Sequence, residues 1–168
     1  LLAAIRVGII DLYPDYRGTE LGLLGPPLTY DVKASLATAR AGFAPLGLAF
    51  LDPLGFQSTY AVVTRRTLAE RLDLARVSDL ADHAPRLRLG VSEAFADRPE
   101  DGLQPFLDRF GLVFEDVAVL TDGTRETLYG ELIDEQVDVI VGFSTDPEIG
   151  DYGLVQLPAD RPFFPAYE

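Results

Sequence analysis

Residues 121–143 read TDGTRETLYGELIDEQVDVIVGF. The first sixteen mix polar and apolar side chains in the manner of a helix. The last seven, VDVIVGF at 137–143, form an apolar run of strand length. Such a run fits a strand covered on both faces, the usual state of a strand inside a parallel sheet. Helix followed by buried strand is the repeating unit of α/β architecture.

The same alternation extends outward in both directions. Upstream, VFEDVAVL (113–120) and LRLGV (87–91) read as strands. Between them lie SEAFAD (92–97), with Ser92 as its cap, and DGLQPFLDRF (101–110), a helix stopped by Gly111. STYAVVT (58–64) is rich in β-branched residues and reads as extended. TLAERLDL (67–74) and SDLADHA (78–84) read as short helices with Thr67 and Ser78 as N-caps. Downstream, STDPEIGDYG (144–153) is a loop or short helix and LVQLP (154–158) a strand. The end, ADRPFFPAYE (159–168), is irregular. Nearer the start, residues 1–8 read as a helix stopped by Gly8, and IIDLY (9–13) as a short strand. PDYRGTE (14–20) is a turn feeding a second helix, with Gly18 supplying an unusual backbone angle. Asp31 can cap the helix VKASLATARAGF (32–43), whose Val32, Leu36, Ala39 and Phe43 recur at helical spacing. LGLAFLD (46–52) reads as a buried strand. The expected fold is therefore α/β with mainly parallel sheets. Extended, Pro/Gly-rich joints near 52–60 and 156–164 suggest two lobes joined by two crossings.

Composition narrows the function. The chain has 168 residues, 48% of them hydrophobic, which suits a folded globular protein. It has 14 Lys and Arg against 27 Asp and Glu, a formal net charge of -13. That balance argues against nucleic acid or an anionic membrane surface as partner. There is no Cys and one His, His83, placed at an exposed helix end. Thiol nucleophiles, thiolate metal sites and the usual histidine-based acid/base sets are thereby excluded or nearly so. No phosphate-binding glycine loop, dinucleotide fingerprint or nucleophile elbow occurs. The carboxylate pairs Glu115/Asp116 and Asp134/Glu135 read as solvated edges, and Asp146, Glu148 and Asp151 as a solvated loop without calcium-loop spacing. Neither cofactor nor metal is expected.

Aromatic placement is the distinctive feature. Tyr13, Tyr16, Tyr60, Phe143 and Tyr167 fall in turns or at strand ends rather than at core-facing spacing. Ligands of parallel sheets gather at the carboxyl ends of strands, and aromatic faces there can surround a cation. Read from spacing alone, ordinary core packing of these rings is the simpler account. Arg98, after SEAFAD and before Pro99, could take a carboxylate in bidentate fashion; a surface position is the simpler account there too.

These pieces together resemble one family, the substrate-binding proteins of ABC-type osmoprotectant importers for glycine betaine, carnitine and choline (OpuAC-like). The resemblance rests on GIIDLYPDYRGTELG, FLDPLGFQSTYAVV, VSEAFADRPEDGL, GFSTDPEIGDYGLVQLPAD and FFPAYE, in family order along the chain. It implies a type II periplasmic-binding-protein fold, two α/β lobes with a double-strand hinge. Lobe one would be residues 1–57 with 164–168, and lobe two residues 58–163. The family pattern starts before Leu1 and continues past Glu168, so lobe one is expected to be incomplete, with an open sheet edge. The ligand implied is a quaternary amine in an aromatic box. Carried onto this chain, the box residues are Tyr16, Tyr60, Phe143 and Tyr167, with Thr19 and Arg98 for a carboxylate. Phe143 stands where many relatives have Tyr, and Arg17 beside the box could alter ligand choice. The resemblance also implies an ABC permease as partner, contact with the membrane only through that permease or an anchor outside this chain, and an extracytoplasmic location (periplasmic or cell-surface lipoprotein). It implies no catalysis. Alternatives are a ligand-sensing regulatory domain of the same fold, a non-binding fragment, or a porphyrin-pathway deaminase. The deaminase would need a cysteine.

Overall fold

The computed structural model describes residues 1–25, 31–121 and 124–164. The chain forms two compact units, Leu1–Ser58 and Thr59–Phe164.

The first unit is helical among its described residues. Helix α1 spans Leu2–Arg6, α2 Arg17–Leu24 and α3 Val32–Phe43. Asp31 caps α3 as expected, its carboxylate accepting from the backbone N–H groups of Lys33 and Ala34 at 2.9 and 3.0 Å. Ala39 and Phe43 are buried from the expected stripe, joined by Ser35. Three expectations fail in this unit. IIDLY is not a strand, and its Ile9 and Leu12 are 76% and 69% exposed. LGLAFLD is not a strand either, and Leu51 is 60% exposed. A strand exists only with a hydrogen-bonding neighbour, and neither segment has one among the described residues. Gly18 lies inside α2 with no left-handed angle; in this unit it is Gly8, Gly25, Gly47 and Gly55 that have positive φ, between +74° and +85°.

The second unit holds a five-stranded sheet in the order β3-β2-β4-β1-β5. Its strands are β1 Tyr60–Thr64, β2 Arg88–Ser92, β3 Asp116–Leu120, β4 Val139–Phe143 and β5 Val155–Leu157. Strand β2 pairs in parallel with β3 and β4. Strand β1 pairs antiparallel with both β4 and β5, so the sheet is mixed rather than mainly parallel. The remaining helices are α4 Arg66–Leu72, α5 Glu93–Ala96, α6 Leu103–Phe110, α7 Arg125–Ile133 and α8 Glu148–Asp151.

Alternation along the strands explains why VIVGF, residues 139–143, is apolar throughout. Val139 and Val141 face one core, with Val62, Leu89, Val91, Phe95 and Phe106. Ile140 faces a second, with Ala61, Val63, Leu128, Tyr129 and Leu132. Both faces of the sheet are thus covered. The start of β4 is pinned by Asp138. Its carboxylate meets the Arg65 guanidinium at 3.0 Å and accepts from the Arg88 N–H at 2.9 Å, while Arg65 also donates to the carbonyls of Leu132 and Val137.

Local caps follow chemistry in most places. Ser92 Oγ accepts from the Phe95 N–H, and Gly111 ends α6 in the left-handed conformation. Two caps differ from expectation. Helix α4 begins one residue before Thr67, with Arg65 in the cap position and no side-chain cap. Ser78 lies inside a 3₁₀ turn, Val77–Asp82, whose cap comes from Asp79 accepting from the Ala75 and Arg76 N–H groups. His83 sits between two such turns, half-buried rather than exposed.

Candidate functional site

The carboxyl ends of β2 and β4 and the start of β1 meet at one edge of the second unit. Because β1 runs antiparallel to β4, Tyr60 and Phe143 are direct cross-strand partners. Residues so paired bring their side chains together on one face. Their rings stack with centroids 4.7 Å apart at 23°. Phe95, from α5, meets Tyr60 at 4.8 Å, and Phe164 at 6.0 Å. Tyr60 is therefore only 9% exposed, whereas Phe143 is 44% exposed. The open aromatic face of this pair belongs to Phe143, and Tyr60 backs it.

Arg98 lies beside them. Its guanidinium carbon is 5.5 Å from the Tyr60 ring centroid, within cation–π range. Asp101 grips it with two bonds, Nε to Oδ1 and an Nη to Oδ2, both 2.7 Å. The bidentate carboxylate expected for Arg98 is thus supplied by the chain itself. Asp101 is 3% exposed. The turn between α5 and α6 that holds both residues is tightly wound. A Cβ on Gly102 would lie 2.3 Å from the Arg98 carbonyl oxygen and 2.5 Å from that of Phe95. Burial raises the Tyr60 phenol above its ordinary value; the Arg98 charge opposes that rise and the Asp101 charge adds to it.

Asp146 fixes the end of β4. One of its oxygens accepts from the Phe143 N–H at 2.8 Å and the Tyr129 hydroxyl at 3.0 Å, and the other faces Arg125 at 3.6 Å. Asp146 is buried, so the solvated-loop reading of this segment does not hold for it. Burial, then the Asp146 charge, raises the Tyr129 phenol above its ordinary range. Gly142 is required here: a Cβ would lie 2.5 Å from the Tyr129 hydroxyl oxygen. Among the described residues no group of three or more His, Cys, Asp or Glu could hold a metal ion.

In the first unit, Tyr16 is the N-cap residue of α2, 37% exposed, with Thr19 exposed on the first turn. Phe56 meets the Tyr16 ring edge-on at 6.4 Å. Arg17 is 2% exposed, unlike its neighbours Tyr16 and Thr19. Tyr13 donates to Glu20 Oε1 at 2.8 Å. Burial first, then that bond, pushes the Tyr13 phenol up to about 12. Tyr167 lies outside the described residues.

Of the residues singled out from sequence, Tyr60, Phe143 and Arg98 come together and Tyr16 lies with Thr19. Asp101, Phe95 and Phe56 are not singled out by the sequence, and Asp146 is read there only as part of a solvated loop. The Arg-x-x-Asp spacing at 98–101 was the available signal for Asp101. The arrangement in the second unit presents an exposed aromatic face, with a guanidinium held by a buried carboxylate beside it.

Comparison with known proteins identifies the family. The family model for the substrate-binding domain of ABC-type glycine betaine transport systems matches residues 1–168. A carnitine transport binding protein of Listeria monocytogenes is 32% identical over 155 residues, covering 91% of this chain and 49% of that protein. A glycine-betaine-binding protein of Pseudomonas aeruginosa is 30% identical over 176 residues, covering 98% of this chain and 56% of its own length. An ergothioneine transport permease/ergothioneine binding protein of Helicobacter pylori is 28% identical over 168 residues, 29% of its length. The chain thus spans about half or less of these relatives. Among solved structures, a glycine betaine/carnitine/choline ABC transporter protein superposes with TM-score 0.79 at 35% identity, covering 91% of this chain and 56% of that one. The Escherichia coli protein YehZ, without ligand, gives 0.74 at 20% identity and speaks for the fold alone. The fold is that of type II periplasmic binding proteins, and the chain belongs to the family of substrate-binding domains of ABC-type glycine betaine transport systems.

Proposed function

We propose that this chain binds a quaternary ammonium osmoprotectant of the glycine betaine, choline or carnitine type and delivers it to the permease of an ABC importer. The observation that carries this reading is the Tyr60–Phe143 stack with Arg98 beside it. A trimethylammonium group has no N–H donor, so hydrogen bonds cannot recognise it. Its diffuse charge suits aromatic faces, each contributing about 0.5–2 kcal/mol according to how dry the contact is. Phe143 supplies the face in the second unit, Tyr60 supports it, and Tyr16 supplies one in the first unit. Tyr167 is proposed as a further wall. Thr19 and Arg98 hold the carboxylate of a betaine, which shares the Arg98 guanidinium with Asp101.

The two units correspond, in this reading, to lobe one (1–57 with 164–168) and lobe two (58–163). The family and the names of the relatives support an extracytoplasmic location and a permease partner. No helix among the described residues is long and apolar enough to cross a membrane. Contact with the bilayer is proposed through that permease or through an anchor.

Titration calorimetry with glycine betaine, choline, carnitine, ergothioneine and arginine tests the ligand class. Saturable heat with at least one quaternary amine is expected; tight binding of arginine with none of them overturns the reading. Replacing Arg98 with Ala should weaken glycine betaine at least tenfold more than choline. Equal losses would remove the carboxylate role from Arg98.

A further inference from the structure

We propose that Asp101 sets the preference of this site among quaternary amines, by cancelling the charge of Arg98 at the edge of the aromatic pair. The inference rests on the reading that Phe143, Tyr60 and Arg98 face the ligand. The positive carbon of Arg98 is 5.5 Å from the Tyr60 centroid, and that ring is 4.7 Å from Phe143. Arg98 and the Phe143 ring are therefore no more than about 10 Å apart, one Debye length at 0.1 M salt. A bare guanidinium at that range would repel a cation seated on the ring. Buried Asp101, held by two 2.7 Å bonds, turns the charge into a compact dipole whose field fades faster with distance.

The consequence differs between ligands. Choline carries only the cation, so it gains from the cancelled charge and has nothing for Arg98 to hold. Glycine betaine carries a carboxylate as well, which must share the guanidinium with Asp101. Asp101 therefore favours the simple cation over the zwitterion.

Asp101→Asn keeps the shape and one acceptor while removing the charge. Calorimetric titration of the full protein and this variant, at low salt, should show choline weakened roughly three- to tenfold, with glycine betaine unchanged or tighter. Added salt should restore choline binding to the variant. Loss of both ligands by the same factor overturns the role of Asp101 and leaves the proposed function standing. Absence of binding by the unaltered protein to either ligand overturns both. Should Asp101→Asn fail to fold, the double replacement Arg98→Gln with Asp101→Asn removes both charges. Choline held within about twofold of the unaltered protein while betaine falls supports the proposal, and equal loss of the two ligands overturns it.

Discussion

Glu20 shows what one buried residue contributes beyond its contacts. It is 3% exposed, takes the Tyr13 hydroxyl on Oε1, and its Oε2 has no partner among the described residues. Burial raises its carboxyl above the ordinary value of 4.5; the Tyr13 bond opposes this, and Asp15 adds to it. In the window above 4.5, the folded state therefore holds a proton that the unfolded state has released. Stability gained from Glu20 is full below that window and falls as pH rises through it. Urea midpoints followed by circular dichroism from pH 4 upward should decline less steeply in Glu20→Gln than in the unaltered chain; parallel curves would contradict this. The sequence shows Tyr13 and Glu20 seven positions apart, yet only the turn into α2 brings them together. The same holds at the site. Arg98 was legible as a candidate by its type, but that Asp101 already occupies it depends on the winding of residues 95–102.

Elements whose signals are local could be read directly. Helix α3 announces itself through Asp31, which bonds two N–H groups of its first turn, and α6 ends at Gly111 because that position is left-handed. Asp31→Ala should cost about 1 kcal/mol, visible as a lower urea midpoint with an unchanged slope. A change below a few tenths would mean the first turn finds other acceptors. Strands carry no such local guarantee. IIDLY and LGLAFLD have as strong an apolar pattern as LVQLP, but only the last finds a neighbour, in β1. The direction of β1 was equally hidden, since a β-branched run pairs in either sense. That direction matters for the site. Antiparallel pairing with β4 is what places Tyr60 opposite Phe143.

At the scale of the whole molecule, the second unit is one continuous stretch with a core on each side of its sheet. Among the described residues, every strand pairing lies within that stretch. Residues 59–164 expressed alone should therefore unfold in one cooperative urea transition, with a slope of about 1–3 kcal/mol per molar. A gradual, structureless loss of signal would show that the unit needs the rest of the chain. The first unit is different, since Ile9, Leu12, Leu51, Leu54 and Phe56 are all more than half exposed. The adjacent antiparallel strands β1 and β5 have a mechanical consequence. Val62 lies opposite Leu157, so the chain enters the sheet at Tyr60 and leaves it past Leu157 at the same end. A pull applied at those two points loads the β1–β5 ladder at its open end. Its bonds then break in succession, as in a zipper, instead of sharing the load in shear.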